Sequence, residues 1–161
     1  MKLPADFTAR ADEIIARYPA SARSATLPLL HLWQETFGFV SGQGVEWIGA
    51  RLGLEPIRIL ELVTFYPMFR QAPIGRRHIR VCRTLSCALA GARDLYAELC
   101  RRTGAAGDAH GPVTSPDGEY TIEFVECLAS CGTAPVAMIG DRLIESANTP
   151  DNIEACLGKG D

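Results

Sequence analysis

His78-Ile79-Arg80-Val81-Cys82-Arg83-Thr84-Leu85-Ser86-Cys87 opens as a short β-run, exits through one cysteine and reaches a second in a Cys-x4-Cys spacing. Ser86 reads as the cap of a helix from Cys87 to about Arg102, with Leu89, Ala92, Leu95 and Leu99 on its inner face. The pattern then returns: Tyr120–Val125 alternates as a strand and runs into Cys127-Leu128-Ala129-Ser130-Cys131. A strand, a helix and a second strand normally make a right-handed crossover with the strands parallel. If the two strands are neighbours, both cysteine loops leave the same end of one sheet.

Further along, Pro135–Ile139 and Arg142–Glu145 flank Gly140-Asp141, a favourable two-residue hairpin turn. Thr149-Pro150 starts a last helix through Ile153 and Leu157, which Gly158 stops. Gly104 to Glu119, rich in Gly, Ala and Pro, reads as an exposed loop. The resulting order, β-α-β, then a hairpin, then α, is that of a thioredoxin-like layout.

Upstream the grammar is helical. Phe7, Ala11, Ile14, Ile15 and Tyr18 share one face, and Pro19 ends it. Thr26–Phe37 carries Leu27, Leu29, Leu30, Leu32, Trp33 and Phe37, so little polar face remains and this helix is expected to be buried. Ser41 is the expected cap of a third helix holding Val45, Ile48 and Leu52. Pro56 opens a fourth through Ile59, Leu60 and Val63, closed by Pro67. Gln71 to Arg77 reads as a linker. The expected organisation is an α+β/α/β chain, with a helical bundle over 1–70 and a mixed α/β domain over 71–161.

The 161 residues carry 16 Lys and Arg against 19 Asp and Glu, with 47% apolar and 22% charged residues. That balance argues against disorder and gives no basic face for nucleic acid. No apolar run suffices to span a bilayer. The start, Met1-Lys2-Leu3-Pro4-Ala5-Asp6, lacks a signal-peptide core, so a reducing cytoplasm is the expected setting. There the six cysteines, all in the second half, are expected as thiols rather than as a disulfide framework. Cys100 and Cys156 fall on helices near apolar neighbours and read as packing.

Four thiolates gathered by two parallel strands would hold zinc or an iron–sulfur cluster. The x4 and x3 loops suit the broader [2Fe-2S] cluster, and Ser86, Ala129, Ser130 and Gly132 would let backbone N–H groups approach the sulfurs. Arg80 and Arg83 would raise the potential of such a site, and Glu126 would lower it. His31, His78 and His110 have no ligand spacing; His31 reads as a helix residue with a hydrogen bond, the others as surface residues. No Ser/His/Asp set and no Gly-rich phosphate loop stands out, so this chain alone is expected to have no complete catalytic site and to bind neither NAD nor FMN.

Leu30-His31-Leu32-Trp33-Gln34, Val63-Thr64-Phe65-Tyr66-Pro67-Met68-Phe69-Arg70, Pro73-Ile74-Gly75 and both cysteine segments through Cys131-Gly132-Thr133-Ala134-Pro135 resemble one family over nearly the whole chain. It is that of the 24-kDa (E-type) subunits of respiratory NADH:quinone oxidoreductase, complex I. The resemblance implies a helical bundle followed by a thioredoxin-like [2Fe-2S] ferredoxin domain. It implies that Cys82, Cys87, Cys127 and Cys131 are the ligands of one [2Fe-2S] cluster. FMN and NADH are expected in the partner, a 51-kDa-type flavoprotein subunit within a larger redox complex, and part of the Phe65–Phe69 region is expected to grip that partner. The implied place is the cytoplasmic face of the inner membrane, peripheral and without a span. The same module serves NAD-dependent formate dehydrogenases and hydrogenases, and a zinc-stabilised adaptor of the same fold is a third reading. Pro135 stands where thioredoxin-like folds often have a cis-proline.

Overall fold

The computed structural model describes residues 3–107 and 110–158. Met1-Lys2 of the N-terminal reading and Asp108-Ala109 of the expected loop lie outside the described residues. The chain divides into two compact units, Met1–Pro73 and Ile74–Asp161.

The first unit holds α1 (Phe7–Ala16), a 3-10 turn at Ala22–Ala25, α2 (Thr26–Phe37), α3 (Gly42–Leu52) and α4 (Pro56–Phe65). The helix ends follow local chemistry. Gly38 closes α2 at φ +84°, a left-handed conformation that costs glycine little. Ser41 Oγ accepts from Gly44 N at 3.2 Å and caps α3. Phe7, Leu29, Leu30, Trp33, Ile48 and Ile59 form the centre of the core. Gln34 ties the segment after α4 back to α2: its Nε2 donates to Met68 O at 2.9 Å, and its Oε1 accepts from Arg70 N at 2.7 Å. Those bonds explain the divided environment of the aromatic run. Phe69 is buried, whereas Phe65 is 74% exposed, and Ile57, Leu60 and Met68 are exposed as well.

The second unit is a five-stranded sheet with helices. Its elements are β1 (Arg77–Cys82), α5 (Leu85–Leu89), α6 (Ala92–Thr103), β2 (Val113–Thr114), β3 (Tyr120–Val125), β4 (Ala137–Ile139), β5 (Arg142–Ile144) and α7 (Pro150–Leu157). The strand order is β2-β3-β1-β4-β5. β1 and β3 are parallel neighbours from Arg77 opposite Tyr120 to Cys82 opposite Val125. β4 pairs antiparallel with β1 and with β5. Ile79, Val81, Ile122, Leu95, Leu99 and Cys156 are buried in the core.

Three expectations change. The single helix over 87–102 is two, because Gly91 adopts φ +95° and breaks the axis between α5 and α6. Thr84, not Ser86, stands at the N-cap position of α5. The loop over 104–119 contains β2, which pairs antiparallel with β3 through Val113 and Thr114. Two residues are too few to show a strand period.

Thr121 holds this edge together. It is fully buried, its Oγ1 accepts from the buried Gly75 N at 2.6 Å, and it meets Thr114 Oγ1 at 2.8 Å. Thr121→Val keeps the shape but leaves a buried N–H unpaired, a cost of about 1–3 kcal/mol. Urea unfolding should therefore show a lower midpoint for T121V and a smaller loss for T121S; equal midpoints for T121V and the parent would contradict this.

On α6, hydrogen bonds from Arg101 and then Arg102 hold the Glu98 carboxyl down to about 2. A depressed carboxyl stabilises the fold above its ordinary range, and that contribution is lost as pH falls from about 4.5 through about 2. The Glu98 carboxyl carbon should titrate near 2 by NMR. Arg101→Gln with Arg102→Gln should return it to the ordinary range, and a parent value already there would refute the pairing.

Candidate metal centre

The parallel register decides where the cysteines lie. Cys82 is the last residue of β1 and faces Val125, the last of β3, so Cys127 follows at the same sheet end. Arg83 N donates to Val125 O at 3.0 Å, carrying the pairing one residue past the strand. Cys82 and Cys87 are buried, each 1% exposed, whereas Cys127 and Cys131 are exposed. Cys87 sits in the first turn and a half of α5, and Cys131 begins a 3-10 turn, Cys131–Thr133. The peptide before Pro135 is cis.

The sulfurs are surrounded by donors. Ala129 N donates to Cys127 Sγ at 3.3 Å. That bond requires the loop to turn back, and Ala129 does so at φ +59°, a conformation unfavourable for a residue with a Cβ. Thr84 Oγ1 lies 3.3 Å from Cys82 Sγ. Burial pushes the Cys82 thiol up, but hydrogen bonds from the Thr84 hydroxyl, from the backbone N–H groups of Thr84 and Leu128, and from the Cys87 thiol outweigh it, leaving it below the ordinary value. The Cys87 thiol is raised by burial and by its hydrogen bond to Cys82, against a lowering bond from the backbone at Val136. The Leu128 bond crosses between loops: the second cysteine segment donates to a sulfur of the first.

Among the described residues, no three His, Cys, Asp or Glu side chains close round a point as a single-ion site. The donor set fits a larger anionic group: soft sulfur ligands, backbone N–H groups aimed at Cys82, Cys87 and Cys127, and two buried and two exposed cysteines. The remaining cysteines lie elsewhere. Cys156 is fully buried in the core, which pushes its thiol up to about 11, and Cys100 is half-buried with burial raising it too.

Charges near the site differ from a reading of each residue alone. Arg83 Nε donates to Glu126 Oε1 at 3.0 Å, so the cation beside Cys82 and the anion beside Cys127 form one exposed pair whose fields oppose. Arg80 donates to Gly140 O. His78 is not a plain surface residue: half-buried, it meets Glu123 across the β1–β3 pair at 2.7 Å. His31 is exposed and lies against the Phe69 ring at 5.0 Å, and His110 is exposed. Sequence reasoning missed Thr84, although its place between the first two cysteines was a usable signal. The backbone donors at Leu128 and Val136 have no side-chain signature.

Residues 11–160 match the thioredoxin-like [2Fe-2S] ferredoxin family. NADH-quinone oxidoreductase subunit 2 of Thermus thermophilus is 37% identical over 147 residues, 91% of this chain and 79% of that protein. An E-type subunit of the same oxidoreductase from Rhizobium meliloti is 40% identical over 126 residues, 78% of this chain and 72% of that one. The E-type subunit from Rickettsia bellii is 34% identical over 151 residues, 92% and 87%. Among solved structures, the NAD+-reducing [NiFe]-hydrogenase in its H2-reduced state shares the fold, with TM-score 0.62 and 22% identity. That likeness covers 81% of this chain and only 22% of the hydrogenase chain. With the donor-lined cysteine loops, the parallel β1–β3 pair and relatives matched along most of their length, the chain belongs to the thioredoxin-like [2Fe-2S] ferredoxin family, with the E-type subunits of NADH-quinone oxidoreductase.

Proposed function

We propose that this chain is the electron-transfer subunit of an NADH-quinone oxidoreductase and that Cys82, Cys87, Cys127 and Cys131 hold its one [2Fe-2S] cluster. The observation that carries the reading is the parallel β1–β3 register, which sets Cys82 opposite Val125 and so brings both cysteine segments to one sheet end. When bound, such a cluster would supply a one-electron store for exchange with the FMN of a partner flavoprotein subunit that takes hydride from NADH.

The chain's own residues supply the setting. β1 and β3 fix the two loops, Cys82 and Cys87 anchor from the buried side, and Cys127 and Cys131 from the exposed side. N–H donors soften the accumulated negative charge on the sulfurs. Leu85 and Leu89, 74% and 81% exposed beside Cys87, and the exposed Ile57, Leu60, Phe65 and Met68 of the bundle are apolar side chains suited to a partner protein. Domain roles follow: 1–70 for assembly, 71–161 for the cluster. Among the described residues no helix is long and apolar enough to cross a membrane, and we place the chain peripherally, on the cytoplasmic face, through its complex.

Anaerobic purification with iron, acid-labile sulfide and zinc analysis tests the reading. Two irons and two sulfides per chain with a visible chromophore are expected; zinc without sulfide would instead make this a metal-stabilised adaptor. The equivalent subunit of an NAD-linked formate dehydrogenase or hydrogenase would need the same cysteines. The three quinone-linked relatives, at 34–40% identity, favour the first assignment. Co-purification with quinone-reducing rather than hydrogen- or formate-oxidising activity separates the two.

A further inference from the structure

Thr84 occupies the N-cap position of α5 with extended backbone angles, φ −72° and ψ 169°, in which a threonine hydroxyl ordinarily accepts from an N–H of the first turn. It makes no such bond. Its Oγ1 lies instead 3.3 Å from Cys82 Sγ. A cysteine that binds metal does so as thiolate and has no proton to give, so the hydroxyl is then the only donor this pair has. Cys82 is 1% exposed, which leaves water little room to substitute.

We propose that Thr84 is a positioning residue whose hydroxyl donates to the Cys82 sulfur and favours the reduced state of the bound cluster. The inference rests on Cys82 being a ligand, as proposed above. Reduction adds one electron and makes or breaks no bond at Thr84; the proton stays on the hydroxyl oxygen. The added negative charge spreads onto the sulfurs, so a fixed donor dipole stabilises the reduced form more than the oxidised form. Backbone bonds from Thr84 and Leu128 to the same sulfur remain in any Thr84 variant with an unchanged loop, so the hydroxyl is separable from them.

The test is redox titration by EPR of the full chain loaded with iron and sulfide, in the parent, T84V, T84A and T84S. At a fixed poise, T84V and T84A should lower the ratio of reduced to oxidised protein about tenfold, a 59 mV fall for a one-electron couple. T84S should stay within about twofold of the parent, because it retains the donor. Parent-like ratios in T84V and T84A, or a T84S ratio that falls with theirs, would overturn the proposal. So would T84V and T84A failing to load while T84S loads, which would make the residue a folding element only. A parent chain that binds no iron fails the ligand assignment itself, a result distinct from any of these.

Discussion

Serine in place of Cys87 is expected to strip the protein of its iron. Cys87 is buried in α5, and its neighbours are arranged round a sulfur: the Val136 backbone bonds to it and its thiol reaches Cys82. A serine oxygen is harder, shorter on its bond and mostly protonated at neutral pH, so it is a poor replacement for a thiolate toward iron. With Cys87 a ligand, as proposed, its loss should exceed the tenfold-to-hundredfold cost usual for removing a partner of a ligand. Iron and sulfide per chain should fall to about a tenth or less in Cys87→Ser, with the visible absorption. Cys100→Ser is the matched control. It removes a half-buried thiol that packs beside the core and should leave the iron content unchanged. Iron retained in C87S and lost in C100S would sink the ligand assignment.

The parts of the fold that were legible in the residues share a cause. β1 and β3 show period two and then a cysteine, and the caps at Ser41 and Thr149 use side chains whose chemistry is local. Gly140-Asp141 turns the β4–β5 hairpin for the same local reason. What could not be read depends on neighbours distant in sequence. β2 exists because β3 offers Thr121 and Ile122 as partners. The break at Gly91 interrupts apolar spacing that by itself would continue a helix. At the candidate site, the two cysteine pairs stand out in the residues, but the donors to their sulfurs are mostly backbone groups set by the turn at Ala129 and the close approach of two loops. The Arg83–Glu126 pair shows the same limit: each charge was visible, yet their opposition exists only when β1 and β3 are parallel neighbours.

In the bundle, Trp33→Ala should cost about 3–5 kcal/mol, near the upper end for a core substitution. Trp33 is 2% exposed, with Phe7, Phe37 and Trp47 ring centroids at 5.6, 4.7 and 5.8 Å, so its removal leaves a large void in an aromatic cluster. Its indole packs closely against α3 at Gly44, where an added Cβ would meet Trp33 Cε2 at 2.5 Å and Nε1 at 2.6 Å. Gly44→Ala therefore overpacks the same contact from the other side and should cost about 1–3 kcal/mol. Trp33 Nε1 is buried with no hydrogen-bond partner among the described residues. Trp33→Phe deletes that unpaired N–H along with part of the ring, and the relief offsets some of the lost packing, so it should cost less than Trp33→Ala. Of the atoms Gly44→Ala would strike, Nε1 lies in the five-membered ring and Cε2 at the fusion of the two rings, and phenylalanine has neither the N–H nor a fused second ring. The W33F/G44A double variant should accordingly lose less stability than the sum of its single variants, a coupling measurable by urea unfolding. Strict additivity would mean that α3 shifts away from the ring instead, and that the Trp33–Gly44 contact does not set the α2–α3 spacing.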